Sequence, residues 1–281
     1  MTADLGFNVF TAPAPAIVGE RPRPFGPPMA WNPMTSTLIF GEREAVLIDT
    51  LATVPEAVAL ADWVALHERD LTTIYITHGH IDHFAGLSVL LRRFPTARAI
   101  ATPEAVRVME KQIPRMSFFR RLWPGRLPVE ILLPDPYEHD SIEVEGRELR
   151  ILALGHTDTA ATTAVHVPSI DLVVGGDVFY NRCHMYVAET TAESRENWIG
   201  ALDTLLALKP RFAVAGHKKP GAPDVAQAIA DSRQYLIEYG RLLESGIGER
   251  ELYDRMGDLH PHWDNHQAWL TFGLTPLRDG A

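Results

Sequence analysis

The sequence predicts an α/β fold in which two mixed β-sheets pack face to face and helices cover their outer faces. Short apolar segments that are typical of strands fall into two blocks along the chain, and helical segments interrupt each block. Several of these segments end in glycine or a polar residue, as strands of α/β proteins do beside a binding site. With 281 residues, of which 46% are hydrophobic, the chain can bury the core of one large domain. We therefore predict a single domain over residues 1–281.

The N-terminal part begins with a proline-rich segment, residues 11–34, which we predict to be an ordered loop lying over the domain. Its seven prolines exclude a regular helix or a central strand. Thr37–Gly41 and Glu44–Asp49 then have the composition of two adjacent strands with a turn at Gly41. Residues 55–67 have apolar side chains at helical spacing, and Leu71–Thr77 is a short apolar strand.

The rest of the chain alternates between helical and strand-like segments. Residues 83–93 predict a helix, Ala99–Thr102 a short strand, and residues 103–127 a helical insertion of one or two helices. Five further strand candidates follow: Val129–Leu133, Ser141–Val144, Leu149–Leu154, Val165–Pro168 and Asp171–Gly176. After a helix over residues 193–208 and a last strand, Arg211–Gly216, residues 222–281 form a C-terminal helical extension with a break at Gly246–Gly248.

The composition argues against two classes of partner. The net charge is −10, whereas proteins that grip nucleic acid usually carry an excess of Lys and Arg, so we expect no nucleic-acid partner. No segment approaches the ~18 consecutive apolar residues of a membrane span, so we expect no membrane partner. Cys183 is the one cysteine, and the chain starts without the basic and apolar regions of a secretory signal. We predict a cytoplasmic protein.

The strongest chemical signal is the run Thr77-His78-Gly79-His80-Ile81-Asp82-His83, which directly follows an apolar strand. Imidazole and carboxylate are the usual ligands of zinc and its neighbours. Alternate residues at a strand end can point the same way, so His78 and His80 can share one ion. Asp82 and His83, at the start of the next helix, can face a second ion.

Three later segments repeat one pattern, in which an apolar run is followed by glycine and then by a ligand-type residue. They are Gly155-His156, Gly176-Asp177 and Gly216-His217. Glycine permits close approach of the backbone to a site. Each pair alone is a weak motif, but all three together in a chain with the first run favour one metal site.

These residues resemble the metallo-β-lactamase superfamily in order and approximate spacing over roughly residues 35–220. The resemblance implies an αββα sandwich with the site at one edge of the two sheets. It also implies that His78, His80 and His156 hold one ion, that Asp82, His83 and His217 hold the other, and that Asp177 bridges both. The cofactor would be two divalent metal ions, with Zn²⁺ favoured and Fe or Mn left open because the same ligands accept each.

Two positions narrow the comparison within this superfamily. Redox-active diiron members carry Glu where this chain has His80, which argues against electron transfer. Quorum-quenching lactonases carry a tyrosine three residues after the bridging Asp, where Tyr180 stands here. Tyr180 is therefore a candidate for stabilising an oxyanion, with packing in a loop as the alternative. Asp82 is the candidate for orienting the attacking hydroxide and passing a proton to the leaving group.

We predict a metal-dependent hydrolase in which a metal-bridging hydroxide attacks a carbonyl, with a carboxylic ester or lactone favoured. A β-lactam or thioester is the alternative bond, and phosphodiester hydrolysis is disfavoured by the charge. A non-catalytic metal-binding protein is a further alternative, against which the complete ligand set argues.

The substrate is predicted to be a small molecule with an apolar portion, because large apolar side chains flank the predicted core sheets. They are Phe25, Met29, Trp31, Met116, Phe118, Phe119 and Trp123. Ordinary packing is the alternative, and the aromatic helix at residues 115–123 is also a candidate homodimer surface. His139 and His166 are read as surface or core histidines. The segment His260–His266 resembles a metal motif by composition only, and its role as a pocket wall stays open.

Overall fold

Two mixed sheets form the centre of the computed structural model, which describes residues 5–13, 15 and 31–265. The first sheet contains, in spatial order, β1 (Gly6–Ala12), β2 (Met34–Phe40), β3 (Glu44–Ile48), β4 (Asp70–Tyr75), β5 (Arg98–Ala101) and β6 (Asp135–Pro136). Its first three strands run antiparallel, and β3 to β6 run parallel.

The second sheet is mainly antiparallel. It contains β7 (Ser141–Val144), β8 (Arg147–Gly155), β9 (Thr162–Val167), β10 (Leu172–Val174) and β11 (Phe212–Val214), in the order β11-β10-β9-β8-β7. Only the β10–β11 pair is parallel among these strands. Both sheets are therefore mixed, as the sequence predicts.

Helices cover the outer faces of both sheets. The N-terminal half contributes α1 (Val54–Ala65), α2 (Ile81–Phe84), α3 (Leu87–Arg93), α4 (Pro103–Gln112) and α5 (Met116–Leu122). The C-terminal half contributes α6 (Ala192–Ala207), α7 (Gln227–Glu244) and α8 (Glu249–Leu259). None of the helices in the described ranges has both the length and the apolarity that crossing a membrane requires.

Alternation of side chains along the strands builds three hydrophobic layers. Ile39, Val46 and Val174 point into the layer between the two sheets. Their strand neighbours point outward: Leu38 packs under α1 and α3, and Val173 packs under α6 and α7. Because successive strand residues face opposite sides, one strand serves two layers of the sandwich. The αββα architecture that the resemblance implies is confirmed.

The predicted strand Val129–Leu133 is wrong. Residues 131–134 have no regular structure, Val129 is 95% exposed, and the chain pairs with β5 only at β6. Pro128 and Pro134 flank the segment and cannot donate to a strand ladder, which explains why the apolar composition is not enough.

Two other segments differ from the prediction. β1 was not predicted from the sequence. Its last residues, Thr11 and Ala12, belong to the segment predicted as a loop, most of which lies outside the described residues. The predicted helix over residues 83–93 is interrupted between α2 and α3, where the Gly86 amide donates to the carbonyl of Leu51 instead of continuing the helix. This interruption lets α2 end beside the ends of β3 and β4.

Candidate metal centre

The carboxyl ends of β4, β10 and β11 meet at one edge of the sandwich and carry six of the seven predicted ligands. His78, His80, Asp82 and His83 follow β4, Asp177 lies just after β10, and His217 lies just after β11. The backbones approach closely here: a Cβ atom at Gly216 would lie 2.5 Å from Asp177 Oδ1. Glycine before His217 is therefore required by space, as predicted.

Two groups of side chains at this edge have the composition of metal sites. The first group consists of His78, His80, Asp158 and Asp177, and the second of Asp82, His83 and His217; within each group one possible ligand atom per residue lies within 4.8 Å of the others. Asp177 lies between the groups. Its Oδ1 is 3.2 Å from His83 Nε2, and its Oδ2 is 3.1 Å from His217 Nε2 and 4.0 Å from His78 Nε2.

His156 differs from the prediction, because it belongs to neither group. Its Nε2 lies 2.9 Å from the backbone carbonyl of Glu189. Gly155 has a φ of +75°, next to a register shift in the β8–β9 pairing, and this left-handed turn changes the direction of the chain. Asp158, two residues after His156, is fully buried and faces the histidines that His156 was predicted to join.

The residues present fit metal ions. His78 Nε2, His83 Nε2, Asp158 Oδ2 and Asp177 Oδ1 are buried and have no hydrogen-bond partner. A buried polar atom without a partner is costly, and a cation that these atoms bind would remove the cost.

The opposite ring nitrogens are held from outside the two groups. His78 Nδ1 lies 3.0 Å from Thr77 Oγ1, His83 Nδ1 lies 2.8 Å from Asp49 Oδ2, and His217 Nδ1 lies 3.1 Å from the carbonyl of Pro33. Metal-binding histidines in proteins are almost always oriented by such a second contact.

The comparisons with known proteins agree with this geometry. The sequence profile of the metallo-beta-lactamase superfamily matches residues 30–217, which is more than half of the chain. The chain belongs to this superfamily. Membership indicates a metal-dependent hydrolase, and the matched range ends at the last predicted ligand, His217.

Solved structures of the superfamily show the same fold. A metallo-beta-lactamase family protein from Thermus thermophilus has a TM-score of 0.62 and 20% identity, with 94% of this chain and 92% of that chain covered. A metallo-beta-lactamase from Pontibacter korlensis has a TM-score of 0.60 and 16% identity, covering 84% of this chain and 96% of its own. The DIM-1 metallo-beta-lactamase, in a structure of the protein exposed to ceftazidime, has a TM-score of 0.62 and 13% identity, covering 85% and 99%. At these identities the likeness establishes the fold.

Asp49 supports both ligand groups, a role that was not predicted from the sequence. Its Oδ2 lies 2.8 Å from His83 Nδ1, and its carboxylate accepts hydrogen bonds from the Thr77 amide at 2.9 Å and the Thr77 hydroxyl at 2.9 Å. Thr77 in turn contacts His78. The available signal was its position: Asp49 directly follows β3, at the same sheet edge as the metal motif.

Burial and neighbouring charges set the protonation of the groups. Burial, and then the nearby His83, lower the pKa of His78 to about 4, so this imidazole is neutral at pH 7. Burial alone would raise the pKa of Asp177, but His217 and His83 outweigh it and hold this pKa well below its usual range. Burial opposes protonation of His217 as well, yet Asp177 and Asp82 raise its pKa to about 9. A cation that binds His217 therefore displaces a proton.

Tyr180 lies at the site, with its hydroxyl directed at a ligand. The hydroxyl donates to Asp177 Oδ2 at 2.8 Å, and the ring stacks on His217 at 5.3 Å between centroids. The side chain is fully buried, and burial and then Asp177 raise its pKa well above the usual value, so the hydroxyl keeps its proton.

Trp31 also contacts a candidate ligand, and this contact was not predicted from the sequence. Its indole Nε1 donates to Asp82 Oδ2 at 2.6 Å, and its ring meets Trp123 edge-on at 4.7 Å. Trp31 therefore links Asp82 to the aromatic segment at residues 115–123. In that segment Met116, Phe119 and Trp123 are buried, so much of the surface predicted for a homodimer packs within the chain.

The remaining candidates lie outside the two groups. Lys218, which directly follows His217, is buried, and its Nζ donates to Asp224 at 2.8 and 2.9 Å. His139 is exposed and His166 is half-buried.

In the C-terminal segment His260 lies 3.0 Å from Glu238 Oε2, and Trp263 stacks on Tyr235. His266 falls outside the described residues. Neither His260 nor His262 joins a metal-type group in the ranges the structure covers.

Proposed function

We propose that this protein is a dinuclear metal-dependent hydrolase of carboxylic esters, with lactones as the favoured class. The observation that carries the proposal is Asp177, whose two carboxylate oxygens face histidines of both ligand groups. A carboxylate shared in this way is suited to hold two cations close together.

Two divalent ions bound here would polarise the substrate carbonyl and lower the pKa of a water that they share. We propose His78 and His80 as ligands on one side of Asp177, and Asp82, His83 and His217 on the other. Either His156 or Asp158 completes the first set. We favour Zn²⁺ among Zn, Fe and Mn, because imidazole predominates in the predicted ligand set.

Asp82 is proposed to move the proton. Its Oδ2 receives the Trp31 indole N–H and lies 3.4 Å from His217 Nε2, so the carboxylate is held at the centre of the site. A carboxylate in this position can accept a proton from the attacking water and pass it to the leaving oxygen.

Tyr180 has two candidate roles that differ in their consequences. The hydroxyl is bonded to Asp177, which supports a role in positioning this carboxylate. Stabilising an oxyanion on the substrate is the alternative, and it requires the hydroxyl to exchange Asp177 for the substrate oxygen.

The substrate is proposed to be a small molecule with an apolar portion. Trp31 is half-buried and places aromatic surface next to Asp82, where an acyl chain would find a partner. The net charge of −10 favours such a substrate over nucleic acid. The cytoplasmic location stays a prediction.

The test is acid release in a weakly buffered assay. Metal-loaded protein is offered a long-chain lactone, a short-chain lactone, a simple ester, a thioester and a β-lactam, with a chelated sample as the control. We expect the chelator-sensitive rate to be highest with the long-chain lactone. A rate that is highest with the β-lactam would replace the proposal by the second candidate, whose support is the folds of the similar solved proteins, one of them exposed to ceftazidime. Two bound metals without turnover on any substrate would indicate a non-catalytic protein.

A further inference from the structure

We propose that Asp158, and not His156, is the ligand that completes the first metal site. The inference rests on the proposed dinuclear centre and specifies one of its ligands. The first site would then consist of His78, His80 and Asp158, with Asp177 shared between the two sites.

The position of the Asp158 carboxylate carries the inference. Its Oδ2 lies 2.8 Å from His80 Nδ1 and 3.5 Å from His78 Nε2, so it faces the nitrogens available for a metal. Its Oδ1 accepts hydrogen bonds from the hydroxyls of Thr157 at 2.9 Å and Thr162 at 3.4 Å. One oxygen is thus held by neutral donors, while the other points into the site and faces the two histidines.

The burial of Asp158 strengthens the argument. Asp158 is 0% exposed, and the ion pairs that the described residues make with it come from His78 and His80. A fully buried carboxylate is costly unless a cation compensates it. A metal ion shared with these two histidines would supply the compensation.

His156 has a structural role in this arrangement. Its Nε2 lies 2.9 Å from the carbonyl of Glu189, whose side chain accepts a hydrogen bond from Thr159 at 2.8 Å. His156 and Thr159 therefore attach the turn after β8 to the segment around Glu189 from two sides. This attachment keeps Asp158, which lies between them in sequence, directed at the histidines.

The two metal sites would then have matching ligands. Each would contain two histidines and one aspartate, with Asp177 common to both. The pair would carry one more negative charge than the set with His156, because a carboxylate replaces a neutral imidazole. Carboxylate oxygens suit Mn better than imidazole nitrogens do, so Asp158 should shift the metal preference from Zn towards Mn.

The experiment counts metals and needs no substrate. The wild type, His156→Ala and Asp158→Ala are stripped with chelator, reloaded separately with Zn²⁺ and Mn²⁺, and dialysed, and the bound metal per chain is measured by elemental analysis. We expect two metals in the wild type and also in His156→Ala, because Thr159 still attaches the turn to Glu189 and the hydroxyls of Thr157 and Thr162 still hold the Asp158 carboxylate. In Asp158→Ala we expect the affinity for one of the two to fall by more than about 100-fold, since contacts outside the ligand shell already contribute roughly 10–100-fold.

Further variants separate ligation from folding. Asp158→Asn keeps the shape and the hydroxyl contacts, so it should fold with a normal thermal transition and still lose one metal. Asp158→His should restore two metals and raise the ratio of Zn to Mn bound in a competition. Loss of one metal in His156→Ala with two kept in Asp158→Ala and Asp158→Asn would overturn the inference, as would a wild type that binds no metal.

The outcome is independent of the substrate. Two metals whose binding depends on Asp158, in a protein that hydrolyses none of the offered esters, would support the inference and contradict the proposed activity. If the protein hydrolysed lactones in a chelator-sensitive way but needed His156 to retain its metals, the proposed activity would be supported and the inference contradicted.

Discussion

The two ligand groups differ in how their histidines are oriented. In the second group, His83 Nδ1 contacts the Asp49 carboxylate directly at 2.8 Å. In the first group, His78 Nδ1 contacts the neutral hydroxyl of Thr77, and this hydroxyl donates to Asp49, so the carboxylate supports His78 only indirectly. A carboxylate partner makes an imidazole a stronger metal ligand than a hydroxyl does. The second site should therefore bind its metal more tightly, and the first site should lose its metal earlier on dialysis.

The residue shared by the two groups gives the largest expected effect. Asp177→Asn removes the charge that faces histidines of both groups while keeping the size of the side chain. We expect both metal affinities and the hydrolytic rate to fall by more than about 100-fold, because this change removes a ligand and not an outer contact. Metal analysis and the acid-release assay measure the two effects. Asp171→Asn, at an exposed position before β10, is the matched control. If Asp177→Asn kept both metals, Asp177 would not be shared.

Asp49 and Thr77 test the difference between the groups directly. Asp49→Asn weakens the support of His83 and, through Thr77, of His78, so we expect both metal affinities to fall, by roughly 10–100-fold. Thr77→Val removes the hydroxyl that contacts His78 and Asp49 but leaves the direct contact between Asp49 and His83, so the metal of the first group should be weakened more than the metal of the second. Titration of each stripped variant with Zn²⁺ in the presence of a competing chelator resolves the two steps. Equal loss of both metals in Thr77→Val would show that the two groups are not oriented independently.

Removal of the Tyr180 hydroxyl should have a smaller effect. Whether metal affinity or kcat falls decides between its two proposed roles. Tyr180→Phe keeps the stacking on His217 and removes the hydrogen bond to Asp177. A positioning role predicts a loss of metal affinity of about tenfold with a modest fall in kcat, as for an outer contact. An oxyanion role predicts unchanged metal affinity and a fall in kcat of roughly 10²–10³-fold. The structure favours the first result. Tyr137→Phe, whose hydroxyl bonds Ser141 away from the site, is the control.

The parts of the site that sequence could predict are those with local spacing. The run from His78 to His83 places four ligand-type residues directly after a strand, and the carboxyl ends of β10 and β11 bring Asp177 and His217 to the same edge. Strand periodicity also predicted both sheets. It wrongly predicted a strand between Pro128 and Pro134, because these prolines lack the amide donors that strand pairing requires.

The parts that sequence could not predict depend on the direction of single turns. Whether His156 or Asp158 faces inward depends on the left-handed conformation at Gly155 and on the hydroxyls that hold Asp158. Residue spacing does not specify that direction. Asp49 was missed for another reason: one aspartate after a strand has many uses, and its contacts to Thr77 and His83 exist only once β3 and β4 pair.

Substitution of Trp31, which contacts Asp82 of the second group, should have the smallest effect, and it also tests where the substrate binds. Trp31→Phe removes the hydrogen bond to Asp82 of the second group and keeps an aromatic ring next to Trp123. One hydrogen bond contributes on the order of 1 kcal/mol, so we expect kcat/KM to fall about fivefold with both metals retained. If Trp31 also contacts the acyl chain, Trp31→Ala should raise KM more for long-chain than for short-chain lactones, whereas Trp31→Phe should not. Trp63→Phe, on α1 and packed against His67, is the matched control. An equal rise in KM for the two chain lengths in Trp31→Ala would limit Trp31 to positioning Asp82 and place the acyl chain elsewhere.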